Sequence, residues 1–577
     1  MPPQWLRGSA AFPYDAHALN VDRAVAPFLN TSRPHPPESI PMHTKIILVA
    51  LFLAFSPAQA IEQWVYVARN LQVDRSADDL IALMERAAAA GYTHVLLADS
   101  KLARLGTLGD AMPRYTRNTG RVKSAAARLH IEVVPALFNI GYSNAMLFHD
   151  PNLVEALPVR NVPLVVEGGI ARVAEQTVSL PGGDFSDLKK WSWKDDNVVA
   201  EDGAARANAN GGNARIVQRL KVQRWRQYHV SVRVKTRDII GEPPGVKAIA
   251  ATGGRVLNFD SLGTKPTQDW TSHHAIFNSQ EFTDVNLFLG MWGTKSGTLW
   301  WDDARIEEVA FVNLARRDGC PLTITTANGQ PLAEERDFFR LRDPLLGAKP
   351  WPGEFDVFHD PPQLRTKLPD GTRLLASYYH AATVNEGQAT ICLSEPRVLD
   401  LLRDEAARVH ALWGAKGYMM SHDECRVMNW CAACERRGLT PGAMLAENVR
   451  ECAKLLREVN PGGRIHVWSD MFDPNHNAVR GPYYLVNGSL LDSWEGLDRD
   501  VIVLPWHFGK RTESLRFFAG RGNRQVIAAY YDSRPAQVQD WLAAARGVEG
   551  VLGVMFTTWR RNYRDLEAFA KAVSETR

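Results

Sequence analysis

Two adjacent carboxylates, Asp423 and Glu424, follow a short apolar stretch that begins at Tyr418. A short apolar run is typical of a buried parallel strand, and in a parallel barrel the catalytic groups lie at the C-terminal ends of the strands. Neighbouring carboxylates repel each other, so one of them is easily held protonated near neutral pH. The pair is therefore a candidate for general acid and base chemistry at a barrel mouth.

Polar and aromatic residues also follow the other apolar segments that we predict as strands. They are Arg69, Asp99, Asn139, Tyr378, Trp468, Asp470, Trp506, Tyr530, Tyr531, Asp532 and Trp559. Aromatic rings stack on the apolar face of a pyranose, and carboxylates bind hydroxyls or transfer protons. Taken singly, each Trp could fill the core and the acidic pair could lie in a solvated loop. Their shared position after consecutive strands indicates a sugar site.

The elements that must position these residues alternate between strands and helices on either side of a different central segment. About eight strands separated by helices predict an α/β fold, a (β/α)8 TIM barrel. In the central segment the helices vanish and short alternating strands appear, which predicts an inserted antiparallel β-sandwich. The predicted domains are an N-terminal extension with a signal peptide (1–60), the first part of the barrel (61–175), the sandwich (176–315), a β-rich connection (316–371) and the second part of the catalytic barrel (372–577).

Charge and the N-terminal segment bear on partners and location. The chain has 577 residues and a net charge of +3, which gives no reason to expect nucleic acid or an acidic membrane as a partner. Met42 opens a basic start, an apolar run and an Ala-x-Ala end at Ala60, the parts of a secretory signal peptide. We expect translation to start at Met42 and the mature chain to begin near Ile61. No later segment has the length of a membrane span, so we expect a secreted or periplasmic protein.

The cysteines allow more than one interpretation. Cys431-Ala-Ala-Cys434 could be half of a zinc site with Cys425 and Cys452, which would suggest a metalloenzyme. The spacing is not a standard zinc pattern, and a local disulfide or buried thiols are favoured. We expect the barrel to require no cofactor.

The order of the motifs resembles glycoside hydrolase family 20, the β-N-acetylhexosaminidases, over roughly 64–144 and 372–577. The segments that carry the resemblance are Val95–Asp99, Leu393–Glu424, Val467–Met471, Ile527–Asp532 and Val551–Trp559. The resemblance implies that Glu424 is the general acid. It also implies that Asp423 orients the substrate's 2-acetamido group, which acts as the nucleophile. Tyr530 or Tyr531 would hold the acetamido oxygen, and the terminal sugar would lie among Trp468, Trp506 and Trp559.

The chain departs from the family pattern at several positions. Ser421 and His422 stand where the family has two glycines, and Met419 stands where it has a histidine. Arg560 and Arg561 replace the glutamate after the last strand, which leaves open a glycan with an anionic group. Arg69 is a loose counterpart of the first-strand arginine.

The central sandwich resembles carbohydrate-binding modules of the CenC type, through Gly182–Phe185 at its start and Gly297–Ala304 at its end. Such modules often bind a structural calcium ion near the terminal aspartates, here Asp302 or Asp303. The aromatic residues that could form a glycan platform are Trp191, Trp193, Trp225, Trp270 and Trp292. The function expected is an exported glycoside hydrolase acting on a glycan or glycoconjugate. The alternative is a catalytically inactive carbohydrate-binding or scaffold protein of the cell envelope.

Overall fold

Eight parallel strands close into a barrel in the computed structural model, which describes residues 61–385 and 387–576. The predicted (β/α)8 fold is therefore confirmed, whereas the extension and signal peptide predicted for 1–60 lie outside the described residues. Val65 pairs with Phe556 to close the barrel. The strands are β1 (Glu62–Ala68), β2 (His94–Ala98), β3 (Glu132–Leu137), β4 (Gly417–Met420), β5 (Arg464–Trp468), β6 (Ile502–Leu504), β7 (Gln525–Ala528) and β8 (Val551–Phe556).

The strands are short runs of buried residues, as expected where a barrel is covered on both faces. All four residues of β4 and all four of β7 are buried. Large side chains fill the barrel interior, among them Trp64, Met419, Trp468 and Met555. This interior is a packed core, so a substrate can be held only at a rim of the barrel.

Helices cover the outside of the barrel. They are α1 (Asp74–Ala89), α2 (Met112–Arg128), α3 (Pro396–Trp413), α4 (Pro441–Val459), α5 (Arg511–Arg521), α6 (Gln537–Ala545) and α7 (Leu566–Ser574). The start of α4 shows a common N-terminal capping arrangement. Pro441 is its first residue, and the hydroxyl of the preceding Thr440 accepts a hydrogen bond from the Ala443 amide at 3.2 Å. Between β5 and β6 the chain forms only short 3-10 turns and a two-residue strand, which leaves room for a long loop at the rim.

Two antiparallel sheets enclose a separate core between β3 and α3, and they confirm the inserted β-sandwich. The five-stranded sheet contains, in order, Gln268–Asn278, Gln227–Ile240, Ser296–Val309, Ala204–Asn208 and Val198–Glu201. The four-stranded sheet contains Gly245–Ala250, Asp284–Trp292, Asn213–Lys221 and Trp193–Lys194. Phe185, Tyr228, Phe277 and Trp301 are buried between them.

A third antiparallel sheet, here called the linking sheet, lies in the chain on both sides of the sandwich. Its strands, in order, are Pro331–Leu332, Thr323–Thr326, Arg373–Ala381, Ala156–Glu167, Ile170–Val173 and Leu364–Arg365, and Leu314–Ala315 pairs with its third strand. The domain boundaries predicted at 175 and 372 therefore differ from the structure, since β3 ends at Leu137 and the next helix of the barrel begins at Pro396.

The strand Arg373–Ala381, which lies at the start of the predicted second part of the barrel, belongs to this linking sheet and not to the barrel. It pairs antiparallel with the strand Ala156–Glu167, and Tyr378 is buried in the core of that sheet, where its hydroxyl donates to Gln227 Oε1 at 3.2 Å. Buried and partly exposed residues alternate along Arg373–Ala381, a pattern of a sheet covered on one face. Tyr378 is accordingly not a residue of the barrel rim.

No helix among the described residues has both the length and the hydropathy that crossing a membrane would require.

Candidate active site at the barrel mouth

The loop after β3 holds the loop after β4 in place. The Ser421 amide donates to Leu137 O at 2.8 Å, and the Ile140 amide donates back to Ser421 O at 2.9 Å. Gly141 lies directly against the main chain of Asp423, because a Cβ atom on Gly141 would stand 1.7 Å from the Asp423 carbonyl oxygen. Only a glycine fits at this contact, so its position sets where the carboxylate pair can lie.

Glu424 is held in a left-handed backbone conformation, with φ of 51°. This conformation is costly for a residue with a side chain and persists only where neighbours enforce it. The Glu424 amide donates to Asp470 Oδ2 at 2.9 Å. Its Oε2 accepts from Arg426 Nη2 at 2.5 Å and from the Tyr142 hydroxyl. Glu424 is thus fixed at both its main chain and one carboxylate oxygen.

Asp470, at the end of β5, is fully buried beneath the pair. Its Oδ2 also accepts from Asn477 Nδ2 at 3.2 Å, and its Oδ1 accepts from Trp506 Nε1 at 3.4 Å. Burial raises the pKa of Asp470 well above its usual range, and the charges of Asp423 and Glu424 raise it further. Three carboxyl groups therefore meet at the ends of β4 and β5.

Asp423 is half-buried beside Glu424. Burial, followed by the charge of Glu424, raises the pKa of Asp423 to about 7. The charge of Asp423 in turn contributes to a raised pKa of Tyr66, after the larger effect of burial, so the two side chains lie near each other. Asp423 can therefore exchange a proton near neutral pH, which is the property that acid and base chemistry needs.

Aromatic rings surround the carboxyl groups. Trp506 stacks on Tyr531, with ring centroids 5.4 Å apart and planes 6° from parallel. Trp559 lies 6.0 Å from Tyr531 and 5.8 Å from Trp468, and Tyr66 lies 5.0 Å from Trp559. The structure thus brings together four of the predicted aromatic residues and adds Tyr66, which a search of strand ends misses because it lies within β1.

The structure also locates Asp99, Arg69 and Asn139 in the loops after β2, β1 and β3. Asp99 is buried, and its carboxylate accepts from the amides of Leu71 and Lys101 and from the Tyr115 hydroxyl, each at 2.9 Å. Since protein groups occupy its oxygens, Asp99 supports the loops after β1 and β2. Arg69 is half-buried with its guanidinium 5.8 Å from the Tyr563 ring centroid, and Asn139 is half-buried in the loop after β3.

Tyr530 points away from the aromatic ring cluster. It is buried against Phe556 at 4.0 Å, and its hydroxyl donates to Asp565 Oδ2 at 2.7 Å. Asp532 also serves the scaffold, since its carboxylate accepts from the Thr558 hydroxyl and the Trp559 amide at 2.5 and 2.7 Å. Of the two adjacent tyrosines, Tyr531 is the one at the site.

Arg426, Gln388 and Tyr142 contact the Glu424 region in the structure but were not predicted as site residues. Arg426 is buried, with Nη1 donating to Gln388 Oε1 and, at 3.2 Å, to the Tyr142 hydroxyl. Gln388 Nε2 donates to the carbonyl oxygens of Gly141 and Glu424 at 2.9 and 3.3 Å. A cation two residues after the acidic pair was the available signal, whereas Tyr142 and Gln388 are too distant in sequence to be found from a motif.

His422 stands at one of the positions where the resembled family has glycine, and its side chain is directed at α4. It is fully buried, and its Nε2 lies 2.9 Å from Asn448 Oδ1. Burial lowers the pKa of His422 to about 4, so the ring is neutral at physiological pH. Met419, at the position of the family histidine, is buried in the barrel core. These two departures therefore leave the carboxyl groups with no added charge.

The sandwich contacts the loop after β5 behind Arg426. Phe259 of the sandwich lies 4.6 Å from the Tyr484 ring, and Tyr484 lies 4.9 Å below the Arg426 guanidinium. Arg255 Nη2 donates to Val486 O at 3.2 Å. The insertion is thus joined to the layer of residues that holds Glu424.

The predicted calcium ligands and glycan platform can be located in the sandwich. Asp302 pairs with Arg233 at 3.3 Å and Asp303 pairs with Arg305 at 2.9 Å. In the described part of the chain no third carboxylate or histidine joins them, so calcium at this place stays a prediction. Trp191 is buried, whereas Trp193 is 46% exposed and Trp225, Trp270 and Trp292 are half-buried, so sugar binding there stays a prediction as well.

Comparison with known proteins gives distant structural matches. No protein-family model and no curated protein matches the chain. A β-N-acetylhexosaminidase structure matches with 10% identity and a TM-score of 0.36, over 89% of this chain and 71% of that chain. A glycoside hydrolase family 20 β-N-acetylglucosaminidase matches with 9% identity and a TM-score of 0.34, over 89% and 69%. A CBM4 structure matches with 15% identity and a TM-score of 0.19, over 22% of this chain and 99% of its own.

Proposed function

We propose that this protein is an exported glycoside hydrolase that acts on terminal N-acetylhexosamine-type or related sugars. The observation that supports this most is the grouping of Asp423, Glu424 and Asp470 at the C-terminal ends of adjacent barrel strands, beside the stacked rings of Trp506 and Tyr531. Carboxyl groups that hold and release protons, next to aromatic faces, are what glycosidic bond cleavage requires.

In the proposed reaction Glu424 is the general acid. Its Oε2 is occupied by Arg426 and Tyr142, so the transferred proton would be carried on Oε1. As the bond between the anomeric carbon and the leaving oxygen breaks, Glu424 gives this proton to the leaving oxygen. The substrate's acetamido oxygen forms a bond to the anomeric carbon in the same step. Water then attacks that carbon, the bond between the carbon and the acetamido oxygen breaks, and the attacking water gives a proton to Glu424, which restores the starting state.

Asp423 and Tyr531 would position the acetamido group. The ionised form of Asp423 accepts a hydrogen bond from the acetamido N–H, and its pKa of about 7 makes this form available near neutral pH. The Tyr531 hydroxyl would hold the acetamido oxygen. Trp559 and Trp506 would border the terminal sugar ring, and buried Trp468 would pack against Trp559.

The test is release of the aryl group from a panel of p-nitrophenyl glycosides that includes N-acetylhexosaminides and the matching hexosides. We expect cleavage of the N-acetylated compounds only, and a loss of about 10²–10⁴-fold in kcat for Glu424→Gln. Asp423→Asn should also lower kcat. Glu513→Gln, an exposed residue on α5, is the matched control and should leave the rate unchanged. Absence of cleavage throughout the panel would overturn the proposal.

The second candidate is a carbohydrate-binding or scaffold protein of the cell envelope without catalytic activity. The contacts of Glu424 Oε2 with Arg426 and Tyr142 favour it, because they engage this oxygen with protein groups instead of leaving it free for a substrate. This candidate predicts calorimetric binding of N-acetylhexosamines without turnover. Binding should then persist in Glu424→Gln and weaken in Trp506→Ala.

Export is the remaining part of the proposal and rests on the predicted signal peptide. Expression of the full chain in a bacterium with a periplasm should give a processed form whose N-terminus lies near Ile61. An unprocessed product retained in the cytoplasm would contradict export without affecting the hydrolase proposal.

A further inference from the structure

Four buried side chains from three distant segments converge between the barrel and the linking sheet. The Sγ atoms of Cys392, Cys431 and Cys434 lie 3.4, 3.6 and 3.7 Å apart, and Cys434 Sγ lies 3.3 Å from Glu155 Oε2. All four ligand atoms are within 4.8 Å of one another. All six cysteines of the chain are free thiols in this structure.

These separations are those of a metal site and not of a disulfide. A disulfide bond requires sulfurs about 2.0 Å apart. A tetrahedral zinc ion with bonds of about 2.3 Å places its sulfur ligands about 3.8 Å from each other. The three thiols already stand close to that geometry, with a carboxylate oxygen beside one of them.

The ligand groups are also held in orientation by the main chain. Glu155 Oε1 accepts hydrogen bonds from the amides of Trp430 and Cys431, each at 2.8 Å, which directs Oε2 toward Cys434. Cys431 immediately precedes the short helix Ala432–Arg437, on which Cys434 lies. Fixing a ligating carboxylate through hydrogen bonds to its other oxygen is typical of metal sites.

A buried cation balances the negative charge of such a cluster. Three thiolates and a carboxylate around a divalent ion carry a net charge of −2, which is costly to bury alone. Arg317 interacts electrostatically with Cys320, Cys392, Cys431 and Glu155, and its Nη2 donates to Val154 O at 3.0 Å. Its Nη1 is buried with no hydrogen-bond partner among the described residues, so it is available to a sulfur ligand.

We propose that Cys392, Cys431, Cys434 and Glu155 bind a structural zinc ion. Thiolates select zinc over harder cations, and four buried protein ligands leave no open position for a substrate. Cys425 and Cys452, the partners considered in the unfavoured zinc alternative of the sequence, lie outside this group of ligand atoms.

The ion would fasten the loop after β4 to the rest of the molecule. Glu155 lies just before the linking sheet, Cys392 lies where the chain returns to the barrel, and Cys431 follows Glu424 and Arg426 in the loop after β4. Segments up to 279 residues apart in sequence would share one ligand sphere. The zinc would therefore stabilise the position of the carboxyl pair whatever reaction the barrel performs.

The test is the metal content of the full chain, purified without immobilised-metal chromatography and with no metal added. Mass spectrometry should find about one zinc per chain, and a strong chelator should lower the melting temperature. Replacement by Co²⁺ should give thiolate-to-cobalt charge-transfer absorption. A metal-free protein with a Cys431–Cys434 disulfide, or with all thiols open to alkylation in the folded state, would overturn the proposal.

Variants define the ligand set. Cys392→Ser and Cys434→Ser should lose the zinc, and Glu155→Gln should bind it at least about tenfold more weakly. Cys452→Ala is the matched control, a buried thiol outside the cluster, and should keep full zinc. Cys320 also interacts with Cys431, and Cys320→Ser should keep zinc. Loss of zinc in Cys320→Ser together with its retention in Glu155→Gln would overturn this ligand set. If the serine variants do not fold, the zinc content of the unmodified protein decides.

Discussion

The backbone amide of Glu424 donates a 2.9 Å hydrogen bond to Oδ2 of Asp470, so a carboxylate at the end of β5 fixes the main chain at the end of β4. Glu424 has a φ of 51°, and this bond is one of the contacts that hold it there. The direction of the Glu424 side chain therefore depends on a residue 46 positions away in the sequence.

Replacement of Asp470 tests this dependence. In Asp470→Ala the Glu424 amide and the Trp506 ring nitrogen lose their acceptor, and a buried donor left without a partner costs about 1–3 kcal/mol. We expect kcat on the preferred aryl glycoside to fall by about 10- to 100-fold. Asp470→Asn keeps an acceptor oxygen, so its kcat should fall less than that of Asp470→Ala. Asp360→Ala, at an exposed position, is the control, and equal rates for Asp470→Ala and this control would contradict the prediction.

Asp423 should make the stability of the protein depend on pH. Its pKa is raised from 3.8 to about 7, so the folded state binds a proton more tightly than the unfolded state. The resulting stabilisation is complete below the unfolded pKa and is lost as the pH rises through about 7. The melting temperature should therefore fall more steeply from about pH 5 to about pH 8 in the unmodified protein than in Asp423→Asn.

Calorimetric melting curves across this pH range measure the difference. Asp110→Asn, an exposed substitution, should follow the unmodified protein. Parallel curves for the unmodified protein and Asp423→Asn would show that Asp423 has no raised pKa in the folded state.

Arg426 and Glu424 should be strongly coupled in stability, because their side chains are only 4% and 15% exposed. Arg426→Gln leaves the Glu424 carboxylate buried without its counterion, which costs about 3–5 kcal/mol. The double variant Arg426→Gln/Glu424→Gln should recover part of that loss. Urea denaturation of the four proteins in the cycle gives the coupling energy.

The comparison for this cycle is the exposed pair of Arg403 and Asp400 on α3, whose coupling should be close to zero. Additive effects at Arg426 and Glu424 would mean that the two side chains do not interact in solution.

Gly141→Ala should displace the loop that carries the acidic pair. The new methyl group would stand 1.7 Å from Asp423 O, and Gln388 could then no longer bind the Gly141 and Glu424 carbonyls together. We expect a lower melting temperature and at least about a tenfold loss of kcat, since small misplacements of catalytic groups are costly. Gly120→Ala, in the exposed middle of α2 with open space around it, should be neutral or stabilising. Equal behaviour of the two variants would contradict the close contact.

The local patterns predicted the barrel correctly, whereas the site at its mouth stays a prediction. Glu424, Asp470 and Trp506 follow buried strands, and parallel strands in a barrel end at one rim, so their proximity follows from the fold. The same reasoning failed for Asp99, because a carboxylate that caps neighbouring amides and one that binds substrate have the same sequence context. It also failed for the strand Arg373–Ala381, since apolar length alone does not distinguish a barrel strand from a strand of the linking sheet.

The sequence patterns also did not determine the direction in which a side chain points. Tyr530 and Tyr531 are adjacent, and either could face the sugar. The structure separates them because Tyr530 packs on Phe556, whereas Tyr531 adopts a φ of 49° and stacks on Trp506. Their roles at the site, like those of the other predicted residues, stay predictions until the variants are measured.

The sequence by itself determined the alternation of elements, the inserted sandwich and the position of the carboxyl pair after a strand, because these depend on periodicity over a few residues. Only the tertiary structure decided that Tyr142 meets Glu424 across 282 residues and that Glu155 meets Cys431 across 276. Such contacts arise when distant segments are packed against one another, and no short-range pattern records which of them will meet.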